Sequence, residues 1–265
     1  PMTASQEGQR AGQTIVACHS NSPPRAEYTG SMRFAGCVLA VIGFAGAASG
    51  CGRIGFDPVG ASCVPLWTSG AIDARVTHVA NVNSSSYDAD PFVTRDGQWL
   101  YFASGRGSSG DVYRAARSGD GFGDVALAAD LNTPSSETRC SLTADGLAAF
   151  LASSRPGAGR AGTNVWLGTR AGVTEPFAGF SAAKLANVNS DDDDYDPVPS
   201  PDGLRLYLAP SALAQRIVIA ARATVDADFD APVPIDELNS AGDNSDPAPS
   251  SDERVMVFST TRTGN

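Results

Sequence analysis

With 265 residues and 42% apolar content, the chain is long enough for one all-β domain of ordinary size with a full core. Its formal net charge is −10 and Lys184 is its only lysine, so it carries no basic stripe to attract nucleic acid and little charge that would draw it to anionic lipid. The 28 glycines and 17 prolines fit many short strands joined by turns.

Residues 1–31 are polar, contain Ser22-Pro23-Pro24 and lack apolar periodicity, and are expected to be a disordered extension upstream of Met32. Arg33 is followed by 15 uncharged, largely apolar residues, 34–48. That is too short for a comfortable membrane span, but it matches a secretory signal: a basic start, a short apolar middle and small residues at the end. A buried helix or strand, or a cleaved signal that leaves Cys51 free, are the other readings of this segment. Its end, Ala48-Ser49-Gly50-Cys51, resembles the lipobox of bacterial lipoproteins, with Ala48 where that family prefers leucine. The resemblance implies a signal over 32–50 and lipidation at Cys51, which would anchor the protein firmly once several acyl chains are attached. Residues 51–75 are Gly/Pro/Ser-bearing and read as a tether, with Trp67 and Ile72 available to dock on the domain that follows.

From residue 76 onward one pattern recurs four times. Asn83, Asn132, Asn189 and Asn239 open copies spaced by 49, 57 and 50 residues. Thirteen residues after each stands Asp96, Asp145, Asp202 or Asp252, followed by Gly97, Gly146 and Gly203 in three copies and by Glu253 in the fourth. Four residues past the aspartate an apolar triplet begins: Leu100-Tyr101-Phe102, Ala149-Phe150-Leu151, Leu206-Tyr207-Leu208 and Met256-Val257-Phe258. A repeat of this length, built from short β-type runs and Asp-Gly turns, predicts a β-propeller of four-stranded blades. Strands apolar on both faces need cover on both faces, and adjacent blades supply it. Residues 76–265 hold about three and a half such blades.

The pattern Asp-Pro, Ser-Pro-Asp-Gly, Leu-Tyr-Phe, Ser-x-Arg, Asp-Val-Tyr, carried by Asp90-Pro91, Ser200-Pro201-Asp202-Gly203, Leu100-Tyr101-Phe102, Ser104-Gly105-Arg106 and Asp111-Val112-Tyr113, resembles the WD40-like repeat of TolB-type β-propellers of the bacterial envelope. Copy two departs from it at Arg139-Cys140, copy three has Ala212 in place of the loop arginine, and copy four lacks the turn glycine. Such propellers commonly close six blades, so the resemblance implies that further blades lie outside this chain.

Asp96, Asp145, Asp202 and Asp252 recur once per copy in a tight turn and read as structural, together with Gly97, Gly146 and Gly203. Asp90, Asp196 and Asp246, in the first strand of three copies, and the loop arginines Arg106, Arg155 and Arg262 are the candidate rim or ligand residues. For the arginines the preferred reading is pairing with an aspartate of a neighbouring blade, a ligand-meeting rim being the alternative. Asp88, Asp90, Asp191 to Asp194, Asp196, Asp243 and Asp246 precede or open the first strands at one rim, where converging carboxylates are a weak Ca²⁺ candidate beside the preferred reading of a solvated acidic loop; the run Asp191-Asp192-Asp193-Asp194 lacks the glycine spacing of an EF-hand. No His or Cys pair has metal-ligand spacing and no nucleophile elbow is present, so neither a cofactor nor a catalytic residue is assigned. Cys63 and Cys140 read as two separate thiols, a disulfide between them being the alternative.

By analogy with TolB-type proteins the expected function is non-catalytic: a lipid-anchored envelope protein, at the outer membrane facing periplasm or surface, whose rim or channel binds a protein or cell-wall partner. A glycan hydrolase or lyase using the rim carboxylates, and the gating propeller of a longer peptidase, are the alternatives.

Overall fold

The computed structural model describes residues 79 and 81–261, except 108–109, 214, 240–241 and 254, together with the backbone of 14–19. Strand β1 is Thr14–His19. Then come β2 (Asp88–Val93), β3 (Trp99–Ser104), β4 (Asp111–Ser118) and β5 (Gly121–Leu127); β6 (Glu137–Leu142), β7 (Ala148–Ser153), β8 (Asn164–Thr169) and β9 (Ala178–Ser181); β10 (Asp194–Pro199), β11 (Arg205–Pro210), β12 (Val218–Ala221) and β13 (Val233–Pro234); and β14 (Asn244–Pro249) and β15 (Val255–Thr260). Three antiparallel meanders result, β2-β3-β4-β5, β6-β7-β8-β9 and β10-β11-β12-β13, with a last sheet ordered β1-β15-β14. The fold is all-β, a propeller of four-stranded blades of which three complete blades and part of a fourth are described. No helix among the described residues is long and apolar enough to cross a membrane.

β1 runs parallel to β15, with Thr14 opposite Val255 and His19 opposite Thr260. This differs from the disorder expected over 1–31. Thr-Ile-Val is a β-branched run, and the free edge of β15 offers it backbone partners.

The apolar triplets explain the stacking, because alternate side chains of one strand face different blades. Tyr101 and Val112 of the first blade pack with Cys140, Leu142, Ala149 and Leu151 of the second. Phe150 and Val165, on the other face of the second blade, pack with Leu206, Leu208, Val218 and Ala220 of the third. Tyr207 and Ile217 of the third blade meet Met256 and Phe258 of the fourth. The second triplet thus divides between two cores, with Phe150, Ala149 and Leu151 all fully buried.

Each blade is closed at the same points. The turn aspartate accepts a hydroxyl and an N–H: Thr94 Oγ1 at 2.6 Å and Gln98 N at 3.0 Å on Asp96 Oδ1, Thr143 Oγ1 and Leu147 N on Asp145, and Ser200 Oγ and Leu204 N on Asp202. Ser250 Oγ donates to Asp252 in the same way. Gly97, Gly146 and Gly203 follow at φ +71, +69 and +69°, where a Cβ is costly. Glu253 takes that conformation at φ +54° and carries its side chain to the third blade. There its carboxylate accepts both Arg205 Nε, at 3.0 Å, and Arg205 Nη2, as well as the Tyr207 hydroxyl at 2.8 Å.

The opening asparagines imitate a strand. Asn132 accepts the Val112 N–H at 2.7 Å and donates to the Val112 carbonyl at 2.8 Å. Asn189 does the same with Val165, and Asn239 with Ile217. These three asparagines therefore staple the start of their blades to the third strand of the blade before, or, for Asn239, to the residue that leads into it.

Candidate functional site

The first strand of every blade carries a register shift, between Ala89 and Phe92, Glu137 and Cys140, Tyr195 and Val198, and Ser245 and Ala248. A bulge bends the strand and re-aims a side chain. In three blades the bulge is Asp-Pro. The aspartates adopt positive φ, +52° at Asp90, +59° at Asp196 and +54° at Asp246, a conformation that a short polar side chain tolerates better than most. The proline after each has no N–H to leave unpaired at the bulge.

These three bulges bring their carboxylates together, with one oxygen of each within 4.8 Å of the others. Asp196 Oδ2 also accepts the backbone N–H of Asp246 at 3.1 Å. The second blade contributes Arg139 at the corresponding position. Its Nη1 lies 3.3 Å from Asp246 Oδ1, and its side chain is only 6% exposed against 44% for Asp246. Ser141 ties the same strand to the third blade by donating its hydroxyl to the Pro197 carbonyl.

The electrostatics follow from crowding. Burial first, then the Asp246 carboxylate, push Asp196 up to about 8, with Arg139 pulling the other way. The same two causes raise Asp90 to about 6. One guanidinium does not balance three carboxylates, so at neutral pH the cluster retains a proton and remains anionic. Chemically it offers oxygen acceptors, one proton donor and one cationic donor on rigid strands.

The other sequence candidates are placed differently. Arg106 donates to Ser104 Oγ at 2.8 Å, to the Val82 carbonyl at 2.6 Å and to Asp88 at 2.7 Å. Its guanidinium also stacks on Phe102 and Tyr113. Arg155 repeats this with Ser153, the Leu131 carbonyl and Glu137, over Trp166 and Phe180. Both arginines pair with an acid of their own blade, not of a neighbour, and neither is bonded to Asp90, Asp196 or Asp246. Arg262 lies outside the described residues, as do Cys51, the signal over 32–50, the tether over 51–75, and Cys63. Cys140 is a buried free thiol, and burial pushes it far above the ordinary thiol range.

The four consecutive aspartates diverge. Asp191 pairs with Arg160 at 3.0 Å on the surface. Asp193 caps the Thr163 N–H at 2.7 Å. Asp194 turns inward to the Ser190 N–H at 2.7 Å. Of the acidic residues expected at the rim, the group that converges among the described residues is Asp90, Asp196 and Asp246. Arg139 is the residue the sequence reading missed. It stands seven places after its opening asparagine, as do the three aspartates, and that shared position was the available signal.

No protein-family profile matches the chain, and no curated protein does. Among solved structures it is similar to several β-propellers. TolB from Acinetobacter baumannii is 16% identical at a TM-score of 0.37, over 67% of this chain and 44% of that one. The periplasmic gluconolactonase PpgL of Pseudomonas aeruginosa is 18% identical at 0.38, over 68% and 51%. The Swd1 β-propeller domain of Myceliophteria thermophila is 14% identical at 0.36, over 69% and 65%. The chain thus spans about half the length of the first two.

Proposed function

We propose that the chain is the propeller of a non-catalytic, lipid-anchored bacterial envelope protein that holds a protein or cell-wall partner at its inner rim. The observation that carries this is the meeting of Asp90, Asp196, Asp246 and Arg139, contributed by four different strands, at one point. Charged groups fixed by rigid bulges bind with little loss of side-chain freedom. Anchoring at Cys51 rests on the leader, Arg33 to Cys51. The test is crosslinking of the full chain in a membrane fraction, beside an Asp196→Asn/Asp246→Asn variant. A partner retained by the wild type and released by the variant supports the reading; equal retention overturns it. Labelling with a radioactive fatty acid, abolished by Cys51→Ser, tests the anchor.

A second reading is a glycan hydrolase or lyase. One observation favours it: neighbouring carboxyls of unequal proton affinity, with Asp196 raised to about 8, are the equipment of acid catalysis at a glycosidic bond. Turnover of any member of a polysaccharide panel, lost in Asp196→Asn, would establish it, and no turnover by the wild type ends it.

A further inference from the structure

We propose that the outer edge of β15 is a strand-accepting site, which takes an extended, uncharged, β-branched segment of a partner protein and is held by β1 until that strand leaves. In the first three blades the second strand has the blade's own third strand beside it, running antiparallel: β4 beside β3, β8 beside β7 and β12 beside β11. Among the described residues of the fourth sheet, the same place beside β15 is taken by β1, which runs parallel. A meander gives only antiparallel neighbours, since a parallel one needs a long crossover. β1 is therefore not a strand of the repeat. It is a segment from elsewhere in the chain, seated on an edge that accepts it over its full length, from Thr14 opposite Val255 to His19 opposite Thr260.

An edge strand presents a row of N–H and C=O groups ready to pair. Where a strand is added to such an edge, main-chain bonds supply the affinity and alternate side chains the selectivity. Met256 and Phe258 are buried against the third blade, with Val257 between them half-buried. A partner strand with apolar residues two apart continues the face that Met256 and Phe258 begin. The resident segment shows the chemistry the seat takes. Thr14-Ile15-Val16 is a β-branched run and no residue of 14–19 is acidic or is a lysine or arginine. The net charge of −10 on the chain further disfavours an acidic strand. β1 also lies upstream of the leader, so processing at Cys51 detaches it and opens the seat. That consequence rests on the anchor proposed above, whereas the seat itself does not.

The experiment compares the full 265-residue chain with its Ile15→Pro/Val16→Pro variant. Consecutive N–H groups of a strand point to opposite sides, so one of the two prolines removes a bond to β15 whichever way β1 is phased. The probe is a fluorescent synthetic peptide of residues 12–21 carrying Cys18→Ser, read by anisotropy. A peptide that also carries Ile15→Pro and Val16→Pro is the control. The variant should bind the probe about tenfold more tightly than the wild type, whose edge is already occupied, and neither protein should bind the control. Ile15→Gly/Val16→Gly, which only weakens the strand, should lie between them. Amide exchange over Val255–Thr260 should quicken in the variants and slow again when the probe is added. Equal binding of the probe by all three proteins, or binding by none, overturns the proposal. Exchange unchanged by the substitutions overturns it too, because β1 then does not hold the edge. Fatty-acid labelling that survives Cys51→Ser ends the anchor, and with it the opening by processing, and leaves the seat to the binding and exchange readings.

Discussion

At the scale of single residues, the blades solve one electrostatic problem in different ways. Five places after each opening asparagine stands a polar group, half-buried at Asp88 and buried at Glu137, Asp194 and Asn244. In the first blade the loop arginine compensates it. Burial works against the ionised Asp88, but the Ser84 N–H and Arg106 outweigh it and hold the carboxyl below its ordinary range. The third blade has Ala212 where that arginine would be, and burial pushes Asp194 up to about 6 despite the Ser190 hydrogen bonds. A carboxyl that binds its proton more tightly folded than unfolded weakens the fold above its folded pKa, and the penalty fades as pH falls through that value. Asp194→Asn should therefore stabilise the protein at pH 8 by on the order of 1–2 kcal/mol, or several degrees in Tm, and by only about a third as much at pH 4.5. Asn244 already occupies this position in the fourth blade, accepting the Thr260 hydroxyl at 2.8 Å. Melting curves at the two pH values decide it; an equal gain at both would assign the effect to packing instead.

At the scale of the element, the turns were the most legible part of the molecule and the inner strands the least. Asp96-Gly97, Asp145-Gly146 and Asp202-Gly203 announce their geometry because a tight turn is satisfied by its own side chains and a positive φ. Local chemistry of that kind is visible in a string of letters. Arg139 was read only as a departure from Asp-Pro, because its partner Asp246 is 107 residues away and belongs to another blade. Glu253 was likewise read as a missing glycine, whereas it closes the third blade onto the fourth through Arg205 and Tyr207. This clasp can be separated from backbone strain. Glu253→Ala loses the carboxylate and keeps a Cβ at φ +54°, and should cost about 2 kcal/mol, because Tyr207 and Arg205 lose their shared acceptor. Glu253→Gly loses the same contacts but relaxes the backbone, and should cost about 1 kcal/mol less. Chemical denaturation of the two variants reads the difference directly; identical losses would mean that the left-handed turn stores no strain.

At the scale of the whole molecule, stability resides between blades more than within them. A single blade is a sheet with two apolar faces and cannot bury either alone, so each blade is stable only as a neighbour. Phe150 sits at the centre of this arrangement. It is fully buried and packs edge-on to Phe229, with ring centroids 6.0 Å apart, in the core shared by the second and third blades. Phe150→Ala should cost about 3–5 kcal/mol through lost transfer energy and the cavity left behind. Because the same strand also presents Ala149 and Leu151 to the first blade, the loss should propagate in both directions and lower one common transition rather than melting two blades early. Val173, 63% exposed in the turn after β8, is the matched control: Val173→Ser removes an apolar side chain with almost no burial and should leave Tm within a degree or so. Calorimetry of both variants tests coupling and packing together. A Phe150→Ala protein that melts in two resolved steps would show that the blades are independent units, whatever the size of the loss.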